Sequence, residues 1–175
     1  AALCSAVDLS DRGDEPVLAL ASDAPRGAHE DAIDHGAGAG AAAVVVGPDC
    51  AGSIEERATV STPTPGVRYR RRGATETEGL GITQYDRSAY VETVAGAVAD
   101  LGIDPTWVEA VALQAPDGDL PYRATGTLGV ETAVVRRGTT VHELGDTGAA
   151  SPLLGLASGL DEGHTDVLLV GYGAG

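Results

Sequence analysis

Lysine, phenylalanine and methionine are all missing from this 175-residue sequence, and Trp107 is its only tryptophan. With so few large side chains, the apolar bulk has to come from Ala, Val and Leu, and small residues bury less area apiece than aromatics do. The 43% hydrophobic content still excludes a disordered chain. Without lysine, the 11 basic residues are all arginines; they face 26 acids, for a net charge of -15. Such a chain repels nucleic acid and anionic lipid, which excludes both as partners. The joint loss of lysine and of large apolar residues reads as adaptation to a salty cytoplasm, where molar salt shortens the Debye length to about 3 Å.

Cysteine is also scarce. Cys4 and Cys50 form neither a CxxC nor a disulfide framework, so they read as free thiols in a reducing compartment. A nucleophilic thiolate needs a nearby base or a helix N-terminus. Cys4 instead sits in an apolar helical stretch beside Leu3 and Ala6, which predicts a buried, inert thiol. No apolar run reaches membrane-spanning length, and no signal peptide is recognisable. The opening Ala-Ala-Leu-Cys-Ser-Ala-Val reads as the interior of a helix, so a further segment is expected upstream.

What is present alternates between helical and strand patterns. Residues 1–10 predict a small-residue helix, 17–21 and 41–46 short buried strands, and 65–85 a long excursion. An edge strand is expected near residues 57–61. Val91, Val94, Ala95, Val98 and Leu101 recur at threes and fours, predicting a helix over 88–101 capped by Asp86 or Ser88 and ended by Gly102. Residues 108–114 predict a strand, 124–128 a short helix, 151–160 a helix and 166–171 a last buried strand. Residues 133–136 or 140–143 read as strand-like. The class is α/β, with layers on a mostly parallel or mixed sheet.

Several chemical motifs compete with plainer readings. The run from Gly36 to Ala41 imitates a dinucleotide fingerprint, but the strand follows the glycines instead of preceding them. A tight backbone approach into a buried strand is the better reading. His29, Glu30, Asp31, Asp34 and His35 match no closed zinc spacing and read as a solvated acidic loop. His142 and His164 stand alone and are read as structural or solvent-facing. Arg68, Arg70, Arg71 and Arg72 concentrate positive charge in an otherwise acidic chain. Guanidinium forks suit phosphate oxygens, and they equally suit neighbouring carboxylates; on the residues alone the two readings stand level.

Three segments carry a resemblance. Ala110–Pro121, with its Leu-Gln-Ala-Pro-Asp-Gly core, resembles a strand ending in His-Gln-Pro-Asn-Gly. Leu144–Ser151, running on to Leu154–Ala157, resembles a Gly-Asn-Thr loop and the helix after it. Gly171 to Gly175 is similar to a Gly-rich turn after a last strand. These are motifs of the archaeal 3-hydroxy-3-methylglutaryl-CoA synthases and, more distantly, of ketoacyl synthase III. Weaker likenesses lie in Ala1–Val7, in Gly36–Gly47 and in Tyr69-Arg70-Arg71.

The resemblance implies the downstream portion of a thiolase-like layered fold, comprising the end of the first half with its long excursion (1–85) and the second half (86–175). It implies an acyltransferase that condenses acyl-CoA, with CoA thioester as ligand and no tightly bound cofactor or metal. It implies a homodimer and leaves room for a zinc-ribbon/OB-fold partner. The nucleophilic Cys and acid/base Glu of the family would precede Ala1. Gln114 falls where the family has its catalytic His, and Asp146 where it has its Asn. Arg68, Arg70, Arg71 and Arg72 become candidates for the CoA phosphates, and Gly173 and Gly175 for an active-site loop. Gln114 does not titrate, and an ionised Asp146 opposes an enolate oxygen. Reduced or altered condensation is therefore expected; the alternative is a non-catalytic acyl-CoA-binding or partner-supporting subunit.

Overall fold

The computed structural model describes residues 2–173. Helix α1 (Ala2–Ser10) packs Ala6 against β1 (Val17–Asp23). After the short helix α2 (Ala32–Gly36), β2 (Gly40–Val46) returns antiparallel to β1, pairing Val17 with Val46 and Asp23 with Gly40. These two strands are less covered than their apolar sequence suggests. Of β1 only Ala19 is buried, while Leu18, Leu20 and Val45 lie exposed on one face. Cys4 is half-buried and not enclosed, because α1 leaves it beside Arg57 and Asp8 on an open surface; both cysteines are free.

Residues 53–64 hold no regular structure. The expected edge strand near 57–61 does not form, since Pro63 and Pro65 interrupt the run and no ladder lies beside it. The excursion turns back on itself through a bridge between Tyr69 and Glu78. It then enters α3 (Thr83–Leu101), which starts five residues earlier than its apolar face suggests. Ile82 occupies the N-cap position without a side-chain cap, so neither Asp86 nor Ser88 plays that part. Asp86 lies in the first turn, where a carboxylate suits the positive helix end. Gly102 ends the helix in the left-handed conformation at φ 68°, as expected.

Helix α3 contributes Ala89, Tyr90, Val94 and Val98 to the main core, with Val91 and Leu101 partly buried at its edge. A single 3-10 turn carries the exposed Trp107 into β3 (Ala110–Leu113), all four residues of which are buried. Short helices follow: α4 (Leu120–Arg123), α5 (Thr125–Leu128), α6 (Thr132–Arg137) and α7 (Val141–Leu144). The two segments read as strand-like are thus helical turns. Their β-branched residues favour strands, but Val135 gains complete burial against β3 by closing a helical turn. Helix α8 (Ser151–Asp161) packs on β3, and β4 (Val167–Val170) pairs parallel to β3, Ala110 with Val167 through Leu113 with Val170. Because α8 also touches β2, it lies between the two strand pairs.

Candidate active site

The parallel pairing of β3 and β4 brings their C-terminal ends together, the place where open α/β sheets present their ligand-binding loops. Gln114 leaves β3 there, its N–H still bonded to the Val170 carbonyl at 2.9 Å. Its own carbonyl accepts the Tyr90 hydroxyl at 2.7 Å, a bond wholly inside the core. Next along, the Ala115 N–H donates to Ser151 Oγ at 3.3 Å. Asp117 Oδ1 then accepts the N–H groups of Asp119 and Leu120, both at 2.8 Å, and so fixes the start of α4. The loop after β3 is held at both ends by α3, α4 and α8.

Asp146 reaches the same place from α7. Its backbone forms a parallel bridge with Ala37, donating to the Gly36 carbonyl at 2.7 Å and accepting the Gly38 N–H at 2.8 Å. That bridge explains the small residues at 36–40: a methyl group on Gly38 would run into the Leu144 carbonyl oxygen. The run is a close backbone approach, as read from the sequence, although the strand it enters is only half-covered. The Asp146 side chain is 2% exposed. Its Oδ1 accepts the Gly148 N–H at 2.9 Å and its Oδ2 accepts Arg68 Nη1 at 2.5 Å. Arg68 Nη2 in turn donates to the Pro116 carbonyl at 3.1 Å. One guanidinium therefore ties the loop after β3, which begins with Gln114, to the Asp146 loop.

The four neighbouring arginines divide. Arg68 points inward, while Arg70, Arg71 and Arg72 are exposed. Arg71 pairs with Glu78 at 3.0 Å, and Arg70 Nη2 lies 3.4 Å from Thr77 Oγ1. Gly173 is exposed in the turn after β4; Gly175 lies outside the described residues. In that turn Tyr172 packs edge-on to Tyr90, ring centroids 4.9 Å apart. Burial pushes the Tyr90 phenol well above its ordinary range, with a smaller contribution from Asp117, and burial likewise raises Tyr172. Loss of solvation also raises Asp86, against the pull of Arg68.

Beside the Asp146 loop, an open cleft of about 560 Å³ is lined by residues that include His35, Asp117, His142 and Glu143. His142 is exposed; its Nε2 lies 3.0 Å from the Tyr122 hydroxyl, and the two rings stack. Among the described residues no group of three or more His, Cys, Asp or Glu side chains is placed to hold a metal ion. None of their helices is long and apolar enough to cross a membrane.

Sequence reasoning missed the parts played by Tyr90 and Arg68. Tyr90 left a trace, because a hydroxyl on the apolar face of a helix calls for a buried partner. The Arg68–Asp146 pair left none, since 78 residues separate its members.

No protein-family model matches the chain. Known proteins do. A hydroxymethylglutaryl-CoA synthase of Methanothermobacter thermautotrophicus is 32% identical over 165 residues, covering 90% of this chain and 47% of that protein. The synthase of Picrophilus torridus is 31% identical, covering 90% and 46%. Among solved structures, a hydroxymethylglutaryl-CoA synthase complexed with CoA matches with a TM-score of 0.74 at 21% identity, covering 91% of this chain and 45% of that one. The β-ketoacyl-[acyl carrier protein] synthase III of Thermus thermophilus matches with a TM-score of 0.79 at 23% identity, covering 99% and 60%. The chain has a thiolase-like fold and is similar in sequence to the archaeal hydroxymethylglutaryl-CoA synthases. It spans about half the length of the curated synthases it matches. The fold likeness to synthase III takes in nearly every residue, so both loops joined by Arg68 lie inside the thiolase-fold framework.

Proposed function

We propose that this chain carries the acyl-CoA site of a hydroxymethylglutaryl-CoA synthase-like acyltransferase, and that ordinary condensation at that site is weakened. One observation supports the reading: Arg68 joins the Pro116 carbonyl, in the loop that begins with Gln114, to buried Asp146, so the loops that carry the two positions matched to the family's His and Asn share one side chain. The similar synthases, one of them seen with CoA, support a CoA thioester as the ligand. Arg70, Arg71 and Arg72, exposed on the neighbouring hairpin, are the candidate contacts for its phosphates.

The chemistry argues for weakened turnover. Condensation needs a proton carrier near the acyl group and donors facing the oxygen that becomes negative. An amide at Gln114 donates and accepts hydrogen bonds but carries no proton in exchange. A carboxylate at Asp146 turns an acceptor toward that oxygen. General acid–base help is worth roughly 100- to 10,000-fold, and one oxyanion donor roughly 100- to 1,000-fold. These factors do not simply multiply when groups act together, yet either loss is large.

The test assays the full-length protein that carries this chain with acetyl-CoA and acetoacetyl-CoA, beside a Gln114→His/Asp146→Asn variant. Calorimetric CoA titrations accompany it, on the unaltered protein and on Arg70→Gln/Arg71→Gln. Slow turnover that rises in the first variant, with CoA affinity falling in the second, is the expected result. Enzyme-like rates in the unaltered protein with no gain in the variant would defeat the weakened-catalysis reading. A second reading, a non-catalytic acyl-CoA-binding or partner-supporting subunit, is favoured by the filled position between the loops. It predicts CoA binding with no turnover in either protein.

A further inference from the structure

A carboxylate enclosed by protein is costly unless a positive group and hydrogen bonds meet it. Asp146 is so met. Its carboxylate receives one backbone N–H from Gly148 and one guanidinium N–H from Arg68, with only 2% of the side chain exposed. Arg68 is the more open partner at 32%. Its second Nη is held by the Pro116 carbonyl, at the end of the loop that begins with Gln114. Asp86, in the first turn of α3, and Tyr172, in the turn after β4, are close enough for its charge to act on both. Four separate segments thus converge on one cation that solvent still reaches.

We infer that Arg68 forms an anion-binding point at the junction of these loops, and that Asp146 fills it as a built-in carboxylate ligand. The class of ligand it would otherwise take is a small carboxylate, or an acyl oxygen bearing negative charge. Its relevance to acyl-CoA chemistry rests on the function proposed above; its existence does not. The geometry fits the role: a guanidinium N–H donates well to an anion oxygen, and here that oxygen belongs to the chain. Arg68 is accordingly a positioning residue. It holds Asp146 and the Pro116 carbonyl in register and keeps external anions out while Asp146 is present. Restoring a neutral amide at 146 then does more than remove a negative charge, because it also uncovers a positive one.

The experiment titrates potassium acetate calorimetrically, at fixed high KCl, into the full-length protein and its Asp146→Asn and Arg68→Gln/Asp146→Asn variants. Acetate is expected to bind Asp146→Asn about tenfold or more tightly than the unaltered protein, a difference read directly as a ratio of dissociation constants. The second substitution should abolish the gain. Equal binding by the unaltered protein and Asp146→Asn would overturn the inference, as would a gain that survives the loss of Arg68. A measurement on the unaltered protein guards against variants that do not fold. With Arg68 held at both Nη atoms, rotation of its guanidinium is hindered, and its NH₂ protons should give separate NMR signals; Arg68→Lys identifies them. Averaged signals like those of exposed Arg72 would also overturn it. Acetate binding that follows the expected pattern while no variant binds CoA would leave the anion point standing and remove the proposed function.

Discussion

Tyr90 shows how one hydroxyl can organise a site from beneath. It is fully buried, and its hydroxyl donates to the carbonyl of Gln114, so α3 sets the height at which the loop after β3 leaves the sheet. Tyr90→Phe removes that bond and leaves a carbonyl in the core with one partner fewer. The expected cost is about 1–2 kcal/mol, seen as a thermal midpoint lower by about 4 °C for a domain of this size. The same burial makes stability depend on alkali. Tyr90's phenol is raised in the folded state, so its contribution is fully present below the unfolded tyrosine pKa of about 10 and declines as pH climbs above it. Denaturant titrations at pH 8 and pH 11 should show a smaller alkaline loss in Tyr90→Phe than in the unaltered protein; equal losses would contradict the assignment. At this scale the sequence spoke unevenly. Gln114 and Asp146 stood out because a motif surrounds each of them. Arg68 looked no different from Arg70, Arg71 and Arg72, since only the turn of the 65–80 hairpin decides which guanidinium faces inward.

Among the elements, α8 is the one whose packing tolerates least. Its Gly155 rests on β3 so closely that an added Cβ would meet the Gly138 carbonyl and stand 3.1 Å from Ala112 Cβ. Both obstacles are fixed, one being backbone and the other a buried methyl. Gly155→Ala should therefore destabilise the protein by about 1–3 kcal/mol through overpacking. Gly96, on α3, is the contrasting case: a Cβ there meets only Val60 Cγ1 at 3.7 Å, an ordinary contact. Gly96→Ala should stabilise by up to about 1 kcal/mol, because alanine favours a helix interior. Urea unfolding of the two variants checks both signs; a stabilised Gly155→Ala would mean that α8 does not sit on β3 as described. The long elements were legible because their patterns extend over several turns or a whole strand, as in α3, α8, β1 and β2. The short ones were not. In α6 and α7 a few β-branched residues favour a strand locally, and in α6 contact with β3 closes them into a helical turn. Residues 57–61 failed in the opposite way, having strand-like composition and no neighbour to pair with.

For the whole molecule, the governing quantity is a net charge of -15 on a chain with no lysine. Among the described residues, surface pairs of Arg57 with Asp8 at 2.5 Å and of Arg71 with Glu78 at 3.0 Å oppose the repulsion. Exposed pairs of this kind contribute little and are themselves weakened by salt. They cannot offset the mutual repulsion of so many uncompensated carboxylates. The Arg68–Asp146 pair is screened less, because its carboxylate is enclosed. Added salt therefore removes much more repulsion than attraction. It also strengthens the burial of a core made of small side chains, in which Tyr90 is the largest fully buried residue. The thermal midpoint should climb steeply as KCl rises from low concentration. It should then level off near molar salt, where the Debye length of about 3 Å leaves little long-range repulsion to screen. Leu18, Leu20 and Val45 form an exposed apolar face that salt also drives toward association. The melts must accordingly be repeated at several protein concentrations, and the rise should persist at the lowest. A midpoint unmoved by KCl would show that self-repulsion does not limit this fold. A rise confined to high protein concentration would assign the effect to association through the β1–β2 face.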